Sequence, residues 1–246
     1  MRKYLSLLLL VLLISVQTFA QITKTISVTN AGTLTELLTV TEKSTITDLT
    51  VTGSLDARDF KCLRDELSVL SVLDISATSI VAYSGNGGTF PSSWGSAVYP
   101  QNVLPQYAFN KDVTIGKLSL KNVVLPLSIN AIGNFAFQYC ANLTNVTLPV
   151  SLTSIGNNAF YSCTSLTNFI IPDNVTSIGS SAYQFCHALT SITFGSNLNE
   201  IGNQAFYECH NLKIINSRNT APPVLLGDPF GFTYLSMIYV PDVSIN

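Results

Sequence analysis

Apolar residues recur along this chain in blocks of one form, an apolar residue followed by two more at alternating positions. Leu120, Val123 and Leu125 make the first clear block. Leu143-Val146-Leu148, Leu166-Phe169-Ile171 and Leu189-Ile192-Phe194 repeat it, each 23 residues after the last. The alternation puts the last two residues on one face of a short strand, with the residue between them on the other. Pro126, Pro149 and Pro172 follow three of these strands and end them, since proline cannot donate to a ladder. Three further columns keep the same step. The Ile-Gly pairs Ile132-Gly133, Ile155-Gly156, Ile178-Gly179 and Ile201-Gly202 read as turns. Ala136-Phe137, Ala159-Phe160, Ala182-Tyr183 and Ala205-Phe206 read as plugs of the opposite wall, and Cys140, Cys163, Cys186 and Cys209 complete the unit. One unit cannot bury its own apolar side, but stacked copies bury a continuous core, so each is one coil of a solenoid. The repeat length lies within the ~20–29 residues of leucine-rich repeats.

The register extends in both directions. Leu212 and Ile215 continue it, with Ser217 in an apolar slot, and Leu235, Ile238, Val240 and Pro241 form another coil or a cap. Upstream, Ile46-Leu49-Val51 and Leu70-Leu73-Ile75 match each other at a step of 24, and Ile26 and Val28 precede Leu49 and Val51 by 23. The outer wall differs there. Thr33 and Glu36 have the spacing of a capping box, and Asp56 can cap a helix whose Phe60, Leu63 and Leu67 share a face. Between Ile75 and Leu125 the register breaks. That interval holds a glycine-rich run, three prolines and the only tryptophan, Trp94, while Ala108-Phe109 reads as a displaced plug. The expected fold is an α/β repeat, a right-handed leucine-rich-repeat solenoid with helical N-terminal coils and mostly strand-and-turn coils later. Its expected parts are an N-terminal cap with divergent repeats over 21–81, an insertion loop over 82–106, the 23-residue repeats over 107–217, and a C-terminal coil or cap over 218–246.

Residues 1–20 stand outside this pattern and read as a signal peptide. Arg2 and Lys3 precede an apolar run from Leu5 to Val16, and Thr18-Phe19-Ala20 supplies small residues where a signal peptidase cleaves. The run is shorter than the ~20 residues of a membrane span, so no stable membrane insertion is expected after cleavage near Ala20. The mature protein is therefore expected to be secreted or at the cell surface, with the periplasm as the other compartment open to it. Charged residues make up only 11% of the chain and the net charge is −2, which leaves no basic field for a nucleic-acid backbone.

The columns resemble the BspA-like leucine-rich repeats of bacterial surface and secreted proteins. The motif stands in this sequence as Leu152, Ile155-Gly156, Ala159-Phe160, Cys163, Leu166, Phe169 and Ile171-Pro172. The resemblance is specific from about Leu120 to Ile215 and looser from Ile22 to Ile80. It implies an exported, adhesin-like interaction module whose partners are proteins of the host matrix, of host cells or of other bacteria. It implies no catalytic residues. No separate anchoring domain is read after Pro241.

Candidate chemistry adds little to that picture. The cysteines would form a column ~5 Å apart with side chains in parallel, which favours buried packing thiols over disulfides and cannot converge on a tetrahedral metal. Cys62 is expected to be buried as well. His187 and His210 share a column without a third ligand, so neither a metal nor another cofactor is expected. No nucleophile, base and orienting group occur in a recognisable motif, so the chain is read as no enzyme. The positive signal is a pair of stripes between the core positions of the strands. Asn122, Asn145, Thr147, Asn168, Ile170, Ser191, Thr193 and Asn216 are the candidate ligand-binding residues there. Hydrophilic sheet faces also exist without a ligand, so these residues could simply solvate the sheet. Tyr83, Trp94 and Tyr99 of the insertion are a second candidate set, because aromatics dominate binding hot spots. A glycan-binding or nutrient-capture protein on the same solenoid is the alternative reading.

Overall fold

The computed structural model describes residues 20–91, 93, 95–112, 114–233 and 237–239. The signal peptide over 1–19, Trp94, Leu235, Val240 and Pro241 lie outside the described residues. The described chain coils into a β-solenoid with two parallel ladders. The face ladder takes one longer strand from each coil, and the back ladder takes two residues from each.

Strands Thr23–Val28, Asp48–Leu55, Val72–Asp74, Asn122–Val124 and Asn145–Thr147 follow one another in the face ladder. Strands Asn168–Ile170, Ser191–Phe194, Ile214–Ser217 and Met237–Tyr239 continue the same wall as a separate sheet. The later pairings keep the 23-residue step, as in Phe169↔Ile192 and Ile192↔Ile215. The first pairing does not. Ile26 lies beside Val51 and Lys24 beside Leu49, two residues away from the register expected from the sequence. A shift of two leaves every inward side chain inward, so the apolar pattern cannot distinguish the two registers.

The Ile-Gly pairs are not turns. Each isoleucine closes a two-residue strand of the back ladder, which runs Val103–Leu104, Ala131–Ile132, Ser154–Ile155, Ser177–Ile178, Glu200–Ile201 and Val224–Leu225. The glycine follows because neighbouring coils touch there. A Cβ on Gly179 would lie 2.5 Å from Asn157 Oδ1 and 2.6 Å from Asn157 N. The tight turning is done by other residues. Phe135, Asn158, Ser181 and Gln204 adopt left-handed φ, and so do Tyr139, Ser162, Phe185 and Glu208. Such φ values cost about 1 kcal/mol or more in a non-glycine residue. Hydrogen bonds to the next coil offset that cost, for example Asn158 N–H to Ser180 O and Ser181 N–H to Asn203 O, both 2.9 Å.

The N-terminal coils are not helical throughout. They carry a short 3-10 turn, Leu34–Leu37, and two helices, Val40–Thr45 and Ala57–Asp65. The Thr33–Glu36 capping box does not form. Glu36 N–H instead donates to the backbone Thr33 O at 3.0 Å, and the Thr33 hydroxyl donates to Asn30 O at 2.7 Å. The boxes that do form are Thr39 with Glu42 and Asp56 with Asp59, and the second places Phe60 and Leu63 in the core.

The insertion is not a loop of one kind. Tyr83–Gly85 and Ala97–Tyr99 pair as an antiparallel hairpin, and Val103–Leu104 already opens the back ladder. Meanwhile the face ladder passes directly from Val72–Asp74 to Asn122–Val124. Ala108 and Phe109 are fully buried as the first plug. From there Phe109, Phe137, Phe160, Tyr183, Phe206 and Phe230 form one stack, with successive ring centroids 5.0, 5.1, 5.1, 5.2 and 5.4 Å apart. The cysteine column runs beside it. Cys163 and Cys186 thiols each donate to the carbonyl of an aromatic residue of the preceding coil, Phe137 and Phe160, at 3.2 Å.

Candidate ligand-binding surface

The back wall is continuous over its length, but the face wall is split. Strand Asn145–Thr147 and strand Asn168–Ile170 belong to consecutive coils, yet they do not pair. Behind them the same coils remain closed, through Ile155↔Ile178 in the back ladder and the Phe137–Phe160–Tyr183 stack. The coils thus fan open toward the face. Neighbouring face strands elsewhere pair in register, and these two do not.

The missing hydrogen bonds define the seam. One coil earlier, Thr144 N–H and Asn145 N–H both donate to Lys121 O, at 2.9 and 3.1 Å, and Leu125 N–H donates to Thr147 O at 3.2 Å. One coil later, Thr190 N–H donates to Thr167 O at 2.7 Å and Ile171 N–H to Thr193 O at 2.8 Å. At the seam the equivalent groups, Thr144 O, Leu148 N–H and Thr167 N–H, have no backbone partner among the described residues. Leu148 is correspondingly only partly buried, whereas its counterparts Leu125 and Ile171 are enclosed.

Phe169 stands at this break. The equivalent position is Val123, Val146, Ile192 and Ile215 in the other coils of the array. The larger ring is set edge-on against Phe160 and Tyr183, with centroids 5.3 and 5.2 Å away. It fills core width that an aliphatic side chain would leave to the neighbouring strand.

The opening is a cleft of about 630 Å³. Four of the eight sheet-face candidates line it: Asn145, Thr147, Asn168 and Ile170. All four are exposed, whereas Asn122, Ser191, Thr193 and Asn216 are half-buried in the closed parts of the sheet. Some of the stripe serves the fold. Asn168 Oδ1 accepts from Ser191 Oγ at 2.8 Å and Thr190 Oγ1 at 3.0 Å, and Asn122 Oδ1 accepts from Thr144 Oγ1 at 3.4 Å. Val146, Leu148, Phe169 and Pro172 also line the cleft, as do Val150, Asp173, Asn174 and Arg218, and none of these was among the candidates. Arg218 reaches Asp173 across two coils at 3.4 Å, so the charges at this end of the cleft answer each other. Phe169, a ring in an aliphatic column, was the one sequence signal that could have located the break.

The second candidate set fares differently. Tyr99 is buried inside the hairpin, where its hydroxyl accepts from Phe90 N–H at 2.6 Å. It holds the insertion together and is not displayed to a ligand. Tyr83 packs on Tyr99 with ring centroids 5.9 Å apart and carries the Arg58 guanidinium over its outer face at 4.8 Å.

All five cysteines are free and buried. Burial pushes the thiols of Cys62, Cys140 and Cys209 up to about 12, and raises those of Cys163 and Cys186 as well. A protonated, enclosed thiol is a poor nucleophile and a poor metal ligand. His187 and His210 stack at 5.2 Å, with Nδ1 atoms against the carbonyls of Glu208 and Phe232. Among the described residues no three His, Cys, Asp or Glu side chains are grouped to hold a metal ion. No helix among them is long and apolar enough to cross a membrane.

Comparison with known proteins bears on the array. Residues 102–222 match the model of the BspA type leucine rich repeat region, in six copies. No match is found among the curated proteins. Among solved structures, the chain is similar to a leucine-rich repeat protein of T. pallidum, with 26% identity over 56% of this chain and 65% of that one, at a TM-score of 0.44. It is similar to a leucine-rich repeat protein from Bacteroides ovatus, with 20% identity over 89% of this chain and 43% of that one, at 0.47. The pneumococcal vaccine antigen PcpA gives 20% identity over 81% and 58%, at 0.46. The chain therefore spans less than two thirds of the length of each of these three.

Proposed function

Because residues 102–222 belong to the BspA-type leucine-rich repeats, we propose that this chain is an exported, adhesin-like interaction module that binds surface ligands on the open part of its face sheet. The observation that carries this reading is the cleft between strands Asn145–Thr147 and Asn168–Ile170. The most exposed members of the polar stripe meet there, on a frame held rigid by the closed back wall. Asn145, Thr147 and Asn168 offer neutral donors and acceptors, and Ile170 and Val150 offer exposed apolar surface, 62% and 77% accessible. Such a mixture suits a protein surface of the host matrix, of a host cell or of another bacterium. The same amide and hydroxyl groups favour a second reading, capture of a neutral glycan.

The test is binding of the purified protein to an array of matrix proteins and glycans, with Asn145→Arg/Asn168→Arg alongside. Both side chains are exposed and only the two hydroxyl hydrogen bonds to Asn168 Oδ1 are lost, so the variant should stay folded within about 2 kcal/mol of the parent. A saturable protein hit that the variant loses supports the module and its site. A saturable glycan hit lost in the variant makes the second reading the function. Equal binding by both proteins moves the site off this face.

A further inference from the structure

The seam has the hydrogen-bonding character of a place for one missing strand. The two strands that flank it do not pair, while the coils stay in contact behind them. Both walls of the opening present backbone groups that the coils on either side pair. On one side these are Thr144 O and Leu148 N–H, and on the other Thr167 N–H. A small ligand could not answer two such rows at once, but an extended main chain carries donors and acceptors along both edges.

We propose that the cleft takes an extended polypeptide segment, which completes the face ladder as an inserted β-strand. This rests on the interaction reading above and names the partner's chemistry. The segment alternates apolar and neutral polar side chains. Its apolar residues enter the gap beside Val146 and Phe169, and its polar residues continue the stripe of Asn145, Thr147 and Asn168. Charged side chains gain nothing there, because the charges at the cleft, Asp173 and Arg218, already pair with each other.

The probe is a synthetic peptide, Leu-Thr-Ser-Ile-Thr-Phe-Gly, the sequence of residues 189–195 of this chain. In the protein that segment is an inner strand, paired on both sides with parallel neighbours. The readout is amide hydrogen exchange of the whole protein, followed at Leu148 and Thr167. In free protein these amides exchange as open groups, while Asn145 and Ile171 are protected. Saturating peptide slows the two amides about tenfold or more. The same peptide N-methylated at alternate residues does not protect them, since its side chains remain but one edge of its backbone is blocked.

Three results overturn the proposal: protection of these amides in the free protein, no protection by millimolar peptide, or equal protection by the methylated peptide. Protection that rises with protein concentration alone assigns the slot to a second copy of the chain and also overturns it. The array experiment separates the two levels. A partner lost in Asn145→Arg/Asn168→Arg, with no peptide protection, leaves the binding face standing and removes strand insertion.

Discussion

Replacing Phe169 with valine tests what holds the seam open. The change removes about four carbons from a side chain that is 5% exposed and packed against Phe160 and Tyr183. At about 0.8 kcal/mol per buried carbon, the direct loss is about 3 kcal/mol. If the ring is the wedge, valine lets the two strands meet in the register used by the coils on either side. That restores roughly four ladder hydrogen bonds, each contributing about 1 kcal/mol. The two terms nearly cancel, so Phe169→Val should unfold in urea within about 1 kcal/mol of the parent. Phe160→Val is the matched control. Phe160 stacks between Phe137 and Tyr183 behind the seam, where no ladder bonds wait to form, so its loss should cost about 3 kcal/mol or more. Hydrogen exchange supplies the structural readout, since closure protects Leu148 and Thr167. The reasoning fails if Phe169→Val costs as much as Phe160→Val and the two amides still exchange freely.

Two further outcomes follow from the core. Burial raises all five thiols above their ordinary value of 9.0. The unfolded chain therefore sheds thiol protons from about pH 9 while the folded chain keeps them, and stability present below pH 9 is lost toward pH 12 at about 1.4 kcal/mol per thiol per pH unit. Lys117, lowered to about 8 by burial, acts in the opposite sense between 8 and its ordinary 10.5, but it is one group against five thiols. Urea midpoints should fall between about pH 9 and pH 12, and less steeply in Cys163→Ala; a flat profile would refute the assignment. Tyr183 is the only tyrosine in the aromatic stack from Phe109 to Phe230, and its buried hydroxyl has no hydrogen-bond partner among the described residues. Tyr183→Phe should therefore stabilise the fold by about 1–3 kcal/mol in thermal or urea unfolding. A loss of stability would show that the hydroxyl is satisfied after all.

The amino-acid sequence by itself determined the architecture from Leu120 to Ile215. A coil must place one apolar side chain at each inward position and must close within a fixed length, so the columns of Leu, Ile, Ala-Phe and Cys repeat wherever coils stack. The displaced plug at Ala108-Phe109 and the Asp56 cap were legible for the same local reason. Tertiary structure alone decided the rest. The two-residue shift of Ile26 onto Val51 was hidden because a strand's pattern has period two. The back ladder was hidden because two residues are too few to show a period, and Ile-Gly reads equally well as a turn. The glycines of that column answer to the approach of a neighbouring coil, which no local window contains. The cleft was hidden for a related reason. The sequence displays Asn145, Thr147, Asn168 and Ile170 as four ordinary members of two stripes. Only packing shows that the ladder is broken at that one step, beside the Phe169 ring, and that the four side chains line a cleft there.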